Sequence, residues 1–352
     1  MATRFILAAS IVIAASSVAV PAAFAQEPAI GVAAPTSGPA ALLGAQVLAG
    51  AREAMGATTL VEADTACTAA GGREAAARFV AAKVRIVTGF LCTPALEAAL
   101  PVLTAADIPI ITSGVRAARL TDRRGKTGAL LWRVAPRSDA QAEALAKTVS
   151  TRWRDMPFGL VDDGTVDGRG LADALRSRLE AAGVKPILID TYRPADEKQF
   201  GLVRRILASG VTHIVIAGDR PDVAIIARDA AASGLTLEIV GGEQLFDEPG
   251  PVPLPAGLLA VAPVWQFSSG SAGEPPEERE GYFGPSLAAT EIAAEAVAEA
   301  GRSGRSLPDI LGTTRFSTRL GIVTFDAKGD SGLGLFRTFR FDGTSFGLEV
   351  GG

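Results

Sequence analysis

Residues 84–112 read VRIVTGFLCTPALEAALPVLTAADIPIIT, and their pattern decides the fold class. Residues 84–88 form an apolar, β-branched run of strand length. Residues 94–105 then carry Leu96, Leu100 and Leu103 on one helical face. Thr93 suits the N-cap of that helix, Pro94 suits its first turn, and Pro101 is expected to kink it. Residues 109–112 return to a β-rich run, so the stretch is a strand–helix–strand unit. Such a unit folds as a parallel strand pair with a right-handed crossover.

The same alternation extends in both directions. Upstream, residues 30–34 and 60–63 read as strands. Residues 41–55 read as a helix with Leu43, Val47, Leu48 and Ala51 on one face, and 73–82 as a helix opened by Gly71-Gly72. Downstream the series restarts, with helices predicted over 138–151, 171–182, 200–209 and 221–233. Strands fall between them at 158–161, 186–190, 213–217 and 237–240. Two such series imply two α/β lobes, each a parallel sheet wrapped by helices.

Pro249, Pro251, Pro253 and Pro255 then make a stiff extended stretch. Residues 258–264 read as a strand running from one lobe toward the other, and the polar, Gly/Pro/Glu-rich residues 268–281 as a surface loop. A helix over 287–300, a short helix near 307–311, a strand over 322–325 and a hairpin across Asp342-Gly343 close the chain.

Composition narrows the function. A chain of 352 residues that is 48% apolar has room for two domains with real cores. Its 34 basic and 38 acidic residues are dispersed and leave a net charge of −4, so no nucleic-acid footprint is present. An aromatic content of 6% argues against a stacking platform for single strands. One histidine and two cysteines exclude Cys/His zinc sites and iron–sulfur clusters, and neither metal nor cofactor is expected. His213 lies inside an apolar strand, where a structural role is expected. The chain has no G-x-S-x-G elbow, no phosphate-binding G-x-x-x-x-G-K-[ST] loop and no H-E-x-x-H, so an enzyme is not expected. Gly164, Gly168 and Gly170 follow a strand, but their spacing is not that of a dinucleotide loop, and Asp162, Asp163 and Asp167 would repel an anion there.

Residues 1–25 stand apart. Arg4 is their only charge, residues 5–20 are an apolar run, and Ala23-Phe24-Ala25 offers small residues at the cleavage positions. A signal peptide cleaved after Ala25 is expected, and with it an exported soluble protein. An oxidising compartment favours joining Cys67 to Cys92, with two buried free thiols as the alternative.

In open α/β sheets ligands bind just beyond the carboxyl ends of strands. Those ends carry Ser37-Gly38, Thr93 and Gly114-Val115-Arg116 in the first series, and Asp167, Asp219-Arg220 and Glu243 in the second. Each also has a plain structural explanation: Thr93 as an N-cap, Asp167 and Asp219 as turn residues, Arg116 and Glu243 as solvated charges.

At these positions the chain resembles the periplasmic solute-binding proteins of ABC transporters, in the Leu/Ile/Val-binding, type I periplasmic-binding family. Ile30-Gly-Val-Ala-Ala-Pro-Thr-Ser-Gly-Pro39 resembles that family's opening strand and loop, and Gly44 with residues 49–54 its first helix. Residues 64–67 and 89–92 resemble the segments whose cysteines form a disulfide in amino-acid-binding members. Residues 168–172, 232–235, 241–243 and 325–330 continue the match.

The resemblance implies two doubly wound α/β lobes joined by three hinge strands, near residues 133–136, 261–264 and 326–332. Lobe 1 is expected over 26–135 plus 264–328, and lobe 2 over 136–263 plus 329–352. It implies the substrate-binding component of an ABC transporter, a monomer that captures an amino acid or amino-acid-like polar solute and delivers it to a membrane permease with its ATPase. A type I module sensing a solute for a signalling partner is the alternative. By the same resemblance, Cys67 and Cys92 form a disulfide. Thr93 and the helix start behind it hold the ligand carboxylate, Gly114 to Arg116 touch the head group, and Glu243 takes the ammonium. Departures from the family pattern shape the pocket. Leu43 stands at an aromatic position, Asp167 and Asp219 at tyrosine positions and Arg116 at a threonine position, so a polar ligand is expected to bind more tightly than leucine.

Overall fold

The structure is a computed structural model that describes residues 30–56, 58–269 and 277–349. The expected signal peptide and its cleavage site lie outside the described residues. The first sheet holds β1 (Ile30–Ala34), β2 (Val61–Asp64), β3 (Ile86–Gly89), β4 (Ile110–Thr112) and β5 (Leu131–Arg133). All pairings in it are parallel, in the order β2-β1-β3-β4-β5. Crossover helices α1 (Ala41–Met55), α2 (Ala69–Ala81) and α3 (Thr93–Ala105) cover it, and two short helices, α4 (Ala118–Asp122) and α5 (Arg124–Thr127), precede β5. Every residue of β1 and β3 is buried, as parallel strands covered on both faces require.

The second sheet starts after α6 (Ala140–Arg152). It is built from β6 (Phe158–Asp162), α7 (Val166–Ala181), β7 (Leu188–Thr191), α8 (Phe200–Ser209), β8 (His213–Ala217), α9 (Arg220–Ala232) and β9 (Glu238–Gly241). A 3-10 turn over Glu243–Phe246 and β10 (Leu259–Pro263) follow. The strand order is β16-β15-β10-β9-β8-β6-β7, where β15 (Phe336–Phe341) and β16 (Phe346–Leu348) form the C-terminal hairpin. That hairpin adds the antiparallel edge, with Phe341 opposite Phe346 across the expected turn. These are two doubly wound α/β lobes, as the resemblance implies.

Between β10 and β15 the chain returns to the first lobe. The hairpin β11 (Gln266–Ser269) and β12 (Glu277–Glu280) leads into α10 (Phe283–Ser303), followed by α11 (Leu307–Thr313) and the strand pair β13 (Phe316–Thr318) and β14 (Gly321–Val323). Helix α10 lies against α1 so closely that a Cβ on Gly50 would stand 2.2 Å from the Phe283 carbonyl oxygen. The Ser286 hydroxyl donates to Val47 O at 2.8 Å, and the Thr88 and Thr290 hydroxyls meet at 3.2 Å under β3.

Several expectations are corrected. Gly71 and Gly72 lie inside α2, not before it, with Thr68 as its N-cap. They are glycines for room: a Cβ on Gly71 would be 2.2 Å from Thr65 O, and one on Gly72 2.1 Å from Ala95 O. Helix α7 starts at Val166, so Gly168 and Gly170 are helical, and of that trio Gly164 alone turns with positive φ. Asp163 Oδ1 crowds Gly168, where a Cβ would come within 2.0 Å. The stretch expected to be one loop, 268–281, contributes strand residues on both sides of the undescribed 270–276. Strand β10 sits inside the second sheet between β9 and β15, and the chain leaves for the first lobe after it.

Two of the connections between lobes are fastened together. Arg133 N–H donates to Gly329 O at 2.9 Å and Ser331 N–H to Arg133 O at 3.0 Å. The Arg133 guanidinium is 1% exposed, and its Nε donates to Asp330 at 2.8 Å and its Nη1 to Ala117 O at 2.9 Å. Asp330 also accepts from Thr121 at 3.0 Å and from Arg137 at 2.7 Å, so both buried charges are fully engaged.

Candidate functional site

The cleft edge of the first sheet is built by three strand ends. After β1, the Thr36 N–H donates to Asp64 at 2.8 Å and the Ser37 hydroxyl joins it, holding the loop against β2. After β3, Gly89 and Phe90 both take positive φ, 99° and 57°, a turn that costs a non-glycine residue about 1 kcal/mol or more. Glycine is required at the first, where a Cβ would meet Ala33 O at 2.3 Å. The turn delivers Leu91, Cys92 and Thr93 to the cleft edge. Cys92 is joined to Cys67 with Cα atoms 5.1 Å apart, so the start of α3 is tied to the loop after β2, as expected.

Thr93 is the first helical residue; Cys92 occupies the N-cap and contributes no side-chain cap. The N-cap role expected for Thr93 is therefore corrected. Its half-buried hydroxyl has no hydrogen-bond partner among the described residues, and the first turn of α3 keeps uncapped N–H donors.

After β4, Ser113 N–H donates to Gly89 O at 2.9 Å and Gly114 N–H to Phe90 O at 3.2 Å. A Cβ on Gly114 would stand 2.4 Å from Leu91 Cδ2 and 3.1 Å from Tyr282 Cε1, so no larger residue fits without displacement. Beside it the buried Ser113 hydroxyl has no partner among the described residues.

Arg116 and Glu243 meet across the lobes. Arg116 Nη1 donates to Glu243 Oε1 at 3.0 Å and Oε2 at 2.9 Å, and its Nε donates to Pro136 O at 3.3 Å. The guanidinium also lies 5.7 Å from the centre of the Phe336 ring. The two side chains are 28% and 29% exposed, too enclosed for independently solvated charges. Asp167 and Asp219 behave differently: both are exposed, and neither pairs with Arg116. Asp167 lies in the first turn of α7 and Asp219 at the N-cap position of α9, where a carboxylate is favoured by the helix dipole, though Asp219 makes no side-chain cap.

The aromatic part of the site comes from residues that the sequence reading did not select. Glu243, Phe246, Ala262, Pro263 and Trp265 line a cavity of about 360 Å³. Phe246 and Trp265 meet edge-on with centroids 6.3 Å apart. Tyr282 flanks Gly114, and Phe336 lies beneath Arg116. Trp265, Tyr282 and Phe336 sit on or beside connections between the lobes. No local spacing marks them, because connections between distant segments bring them there. His213 packs edge-on to Trp153, with ring centres 5.3 Å apart, as its structural reading expected.

The geometry can be set beside known proteins. A family model described as periplasmic binding protein matches residues 27–274. A Leu/Ile/Val-binding protein of Rhizobium johnstonii is 31% identical over 226 residues, which span 61% of this chain and 61% of that relative's length. A solved structure from Rhodospirillum rubrum, assigned to branched-chain amino acid ABC transport, superposes with a TM-score of 0.74 at 18% identity, covering 92% of this chain and 100% of the other. An ABC transporter substrate-binding protein of Desulfitobacterium hafniense, solved with Leu, superposes with a TM-score of 0.65 at 19% identity over 92% and 100% of the two chains.

Proposed function

The chain belongs to the periplasmic binding protein family, and from that premise we propose that it captures an amino acid or a similar small polar solute between its lobes. In this reading it acts in the periplasm as the monomeric substrate-binding component of an ABC transporter and hands the solute to a membrane permease served by an ATPase. No covalent step is involved. The binding proteins for leucine, isoleucine and valine among its relatives support the solute class.

The observation that carries the reading is the Arg116–Glu243 pair. A half-buried ion pair cannot lose one partner without leaving the other charge poorly solvated. A zwitterionic head group solves this, because its carboxylate engages Arg116 while its ammonium engages Glu243. Ligand then enters by replacing one pair with two. Thr93 and the uncapped N–H groups of α3 add donors for the same carboxylate. Gly114 lets the turn after β4 pack against Leu91 and Tyr282 beside the head group. A ligand touching both lobes shifts the hinge equilibrium toward the closed form by its differential affinity.

Titration calorimetry with amino acids, their amides and short carboxylates tests this on the wild type and on Arg116→Ala. Tight binding of a polar amino acid, weakened strongly by Arg116→Ala, is expected. Leucine or valine binding best, with affinity unchanged in Arg116→Ala, overturns the polar-ligand reading.

A further inference from the structure

The cleft edge of the second sheet carries more carboxylate than the protein itself neutralises. Asp162 closes β6 and Asp163 follows it, Asp219 follows β8, and Asp222 lies in the first turn of α9. Asp162, Asp163 and Asp222 are buried, and what they accept is mostly neutral. Asp162 takes the Gly164 N–H and the Thr191 hydroxyl, Asp163 takes the Thr165 N–H and hydroxyl, and Asp222 takes the Ala195 N–H. One cation approaches them among the described residues: Arg169, 64% exposed and 3.9 Å from Asp162. Arg220 is turned away, donating to the Asp247 carbonyl at 3.4 Å and lying 5.6 Å from the Phe341 ring centre.

A second observation points into this cluster. Tyr192 is 4% exposed, and its buried hydroxyl has no hydrogen-bond partner among the described residues. It is aimed at the turn after β8, where a Cβ on Gly218 would come within 1.9 Å of the phenol oxygen. Burial, then Asp222, Asp163, Asp219 and Asp162, push the phenol well above its ordinary range. Burial likewise raises Asp222, helped by Asp219 and Asp163. An orphaned phenol amid like charges is the environment that an external cation would relieve.

Strand order supplies a ruler. The second sheet runs β9-β8-β6, so Glu243, Asp219 and the Asp162–Asp163 end lie along one edge. Neighbouring strands are about 4.8 Å apart, which places the successive carboxylates about 5 and 10 Å along from Glu243. That is the reach of a long basic side chain whose ammonium head is held at Glu243.

Building on the proposed amino-acid site, we propose that this edge is a subsite for a cationic side chain, so that the preferred solute is a basic amino acid rather than a neutral one. Asp219 meets the incoming ammonium or guanidinium at the rim, and Asp222 and the Tyr192 oxygen receive it below.

Calorimetry on the purified protein with shape-matched pairs tests this: lysine against norleucine, and arginine against citrulline. The cationic member of each pair is expected to bind at least tenfold more tightly. Asp219→Asn and Tyr192→Phe are each expected to cut that ratio at least threefold; Asp219 is exposed, so its amide preserves the fold. Equal or tighter binding of norleucine and citrulline overturns the subsite and leaves the amino-acid site standing. Agmatine binding as tightly as arginine, with the charge preference intact, overturns the head-group reading and supports the subsite. Binding of no member of the panel overturns both.

Discussion

Arg116 at the end of the first sheet and Glu243 at the end of the second are joined by two hydrogen bonds from a single nitrogen, at 3.0 and 2.9 Å. The contact spans the cleft, and beside it the Ser138 N–H donates to Arg116 O at 2.9 Å. In the proposed site the ion pair would couple occupancy to the relative position of the lobes, because a ligand that engages either charge must dissolve the bridge or substitute for it.

Glu243→Gln should weaken amino-acid binding about 30-fold, the equivalent of ~2 kcal/mol, the low end of the cost of removing one member of an interfacial charge pair. Arg116→Ala should have a similar effect, and the double variant should lose less than the sum, since neither charge is then stranded. Calorimetric Kd values for the four proteins give the coupling directly. Strict additivity would show that the two residues act on different parts of the ligand path.

Small-angle scattering should report a smaller radius of gyration with saturating ligand than without. Arg116→Ala, which removes the bridge, should widen the unliganded protein relative to wild type. A radius that is unchanged by both ligand and substitution would identify a rigid binder in which the pair is a static brace.

Gly114→Ala should lower stability by about 1–3 kcal/mol, the usual cost of forcing extra volume into a filled space. The new methyl meets the Leu91 side chain at 2.4 Å, its Cα at 3.0 Å and the Tyr282 ring at 3.1 Å. Adding Leu91→Ala should recover part of the loss in thermal melts, because the nearest clash is with that side chain. No recovery would place the strain in the backbone instead.

The alternating pattern made the two lobes legible because buried parallel strands are short unbroken apolar runs, as in β1 and β8, and their crossover helices carry one apolar face. What escaped was whatever depends on contacts between distant segments. Gly71-Gly72 looks like a helix start, yet the pair exists so that α2 can approach the Thr65 and Ala95 carbonyls. Short helices such as α4 and α5 have too few turns to show a period. In the site, strand-end positions marked Thr93, Gly114, Arg116 and Glu243 as candidates. That Arg116 reaches Glu243, while Asp167 and Asp219 remain exposed, depends on how the lobes face each other, and local spacing carries no such information. The aromatics Trp265, Tyr282 and Phe336 escaped for the same reason, since connections between the lobes bring them to the cleft.

The hinge fastening sets an acid limit on stability. Asp122 accepts from Lys328 at 2.7 Å and from Arg137 at 3.2 Å, and Arg137 in turn reaches Asp330 beside the buried Arg133. The hydrogen bond from Lys328, then that from Arg137, lowers the Asp122 carboxyl from 3.8 to about 2. Glu349 falls from 4.5 to about 2, chiefly through Arg340 and then Arg152. Both acids have a folded pKa below the unfolded one, so the folded state holds fewer protons. Their contribution is therefore present above the unfolded values and is lost as pH falls from about 4.5 toward 2. Asp222 works the other way: burial raises its carboxyl, so its penalty is relieved on acidification. The two lowered acids should outweigh it, and urea midpoints should fall steadily across that window. Asp122→Asn should lower the midpoint at pH 7 and flatten the fall below pH 4. An Asp122→Asn curve parallel to wild type throughout would show that the hinge network is not what titrates.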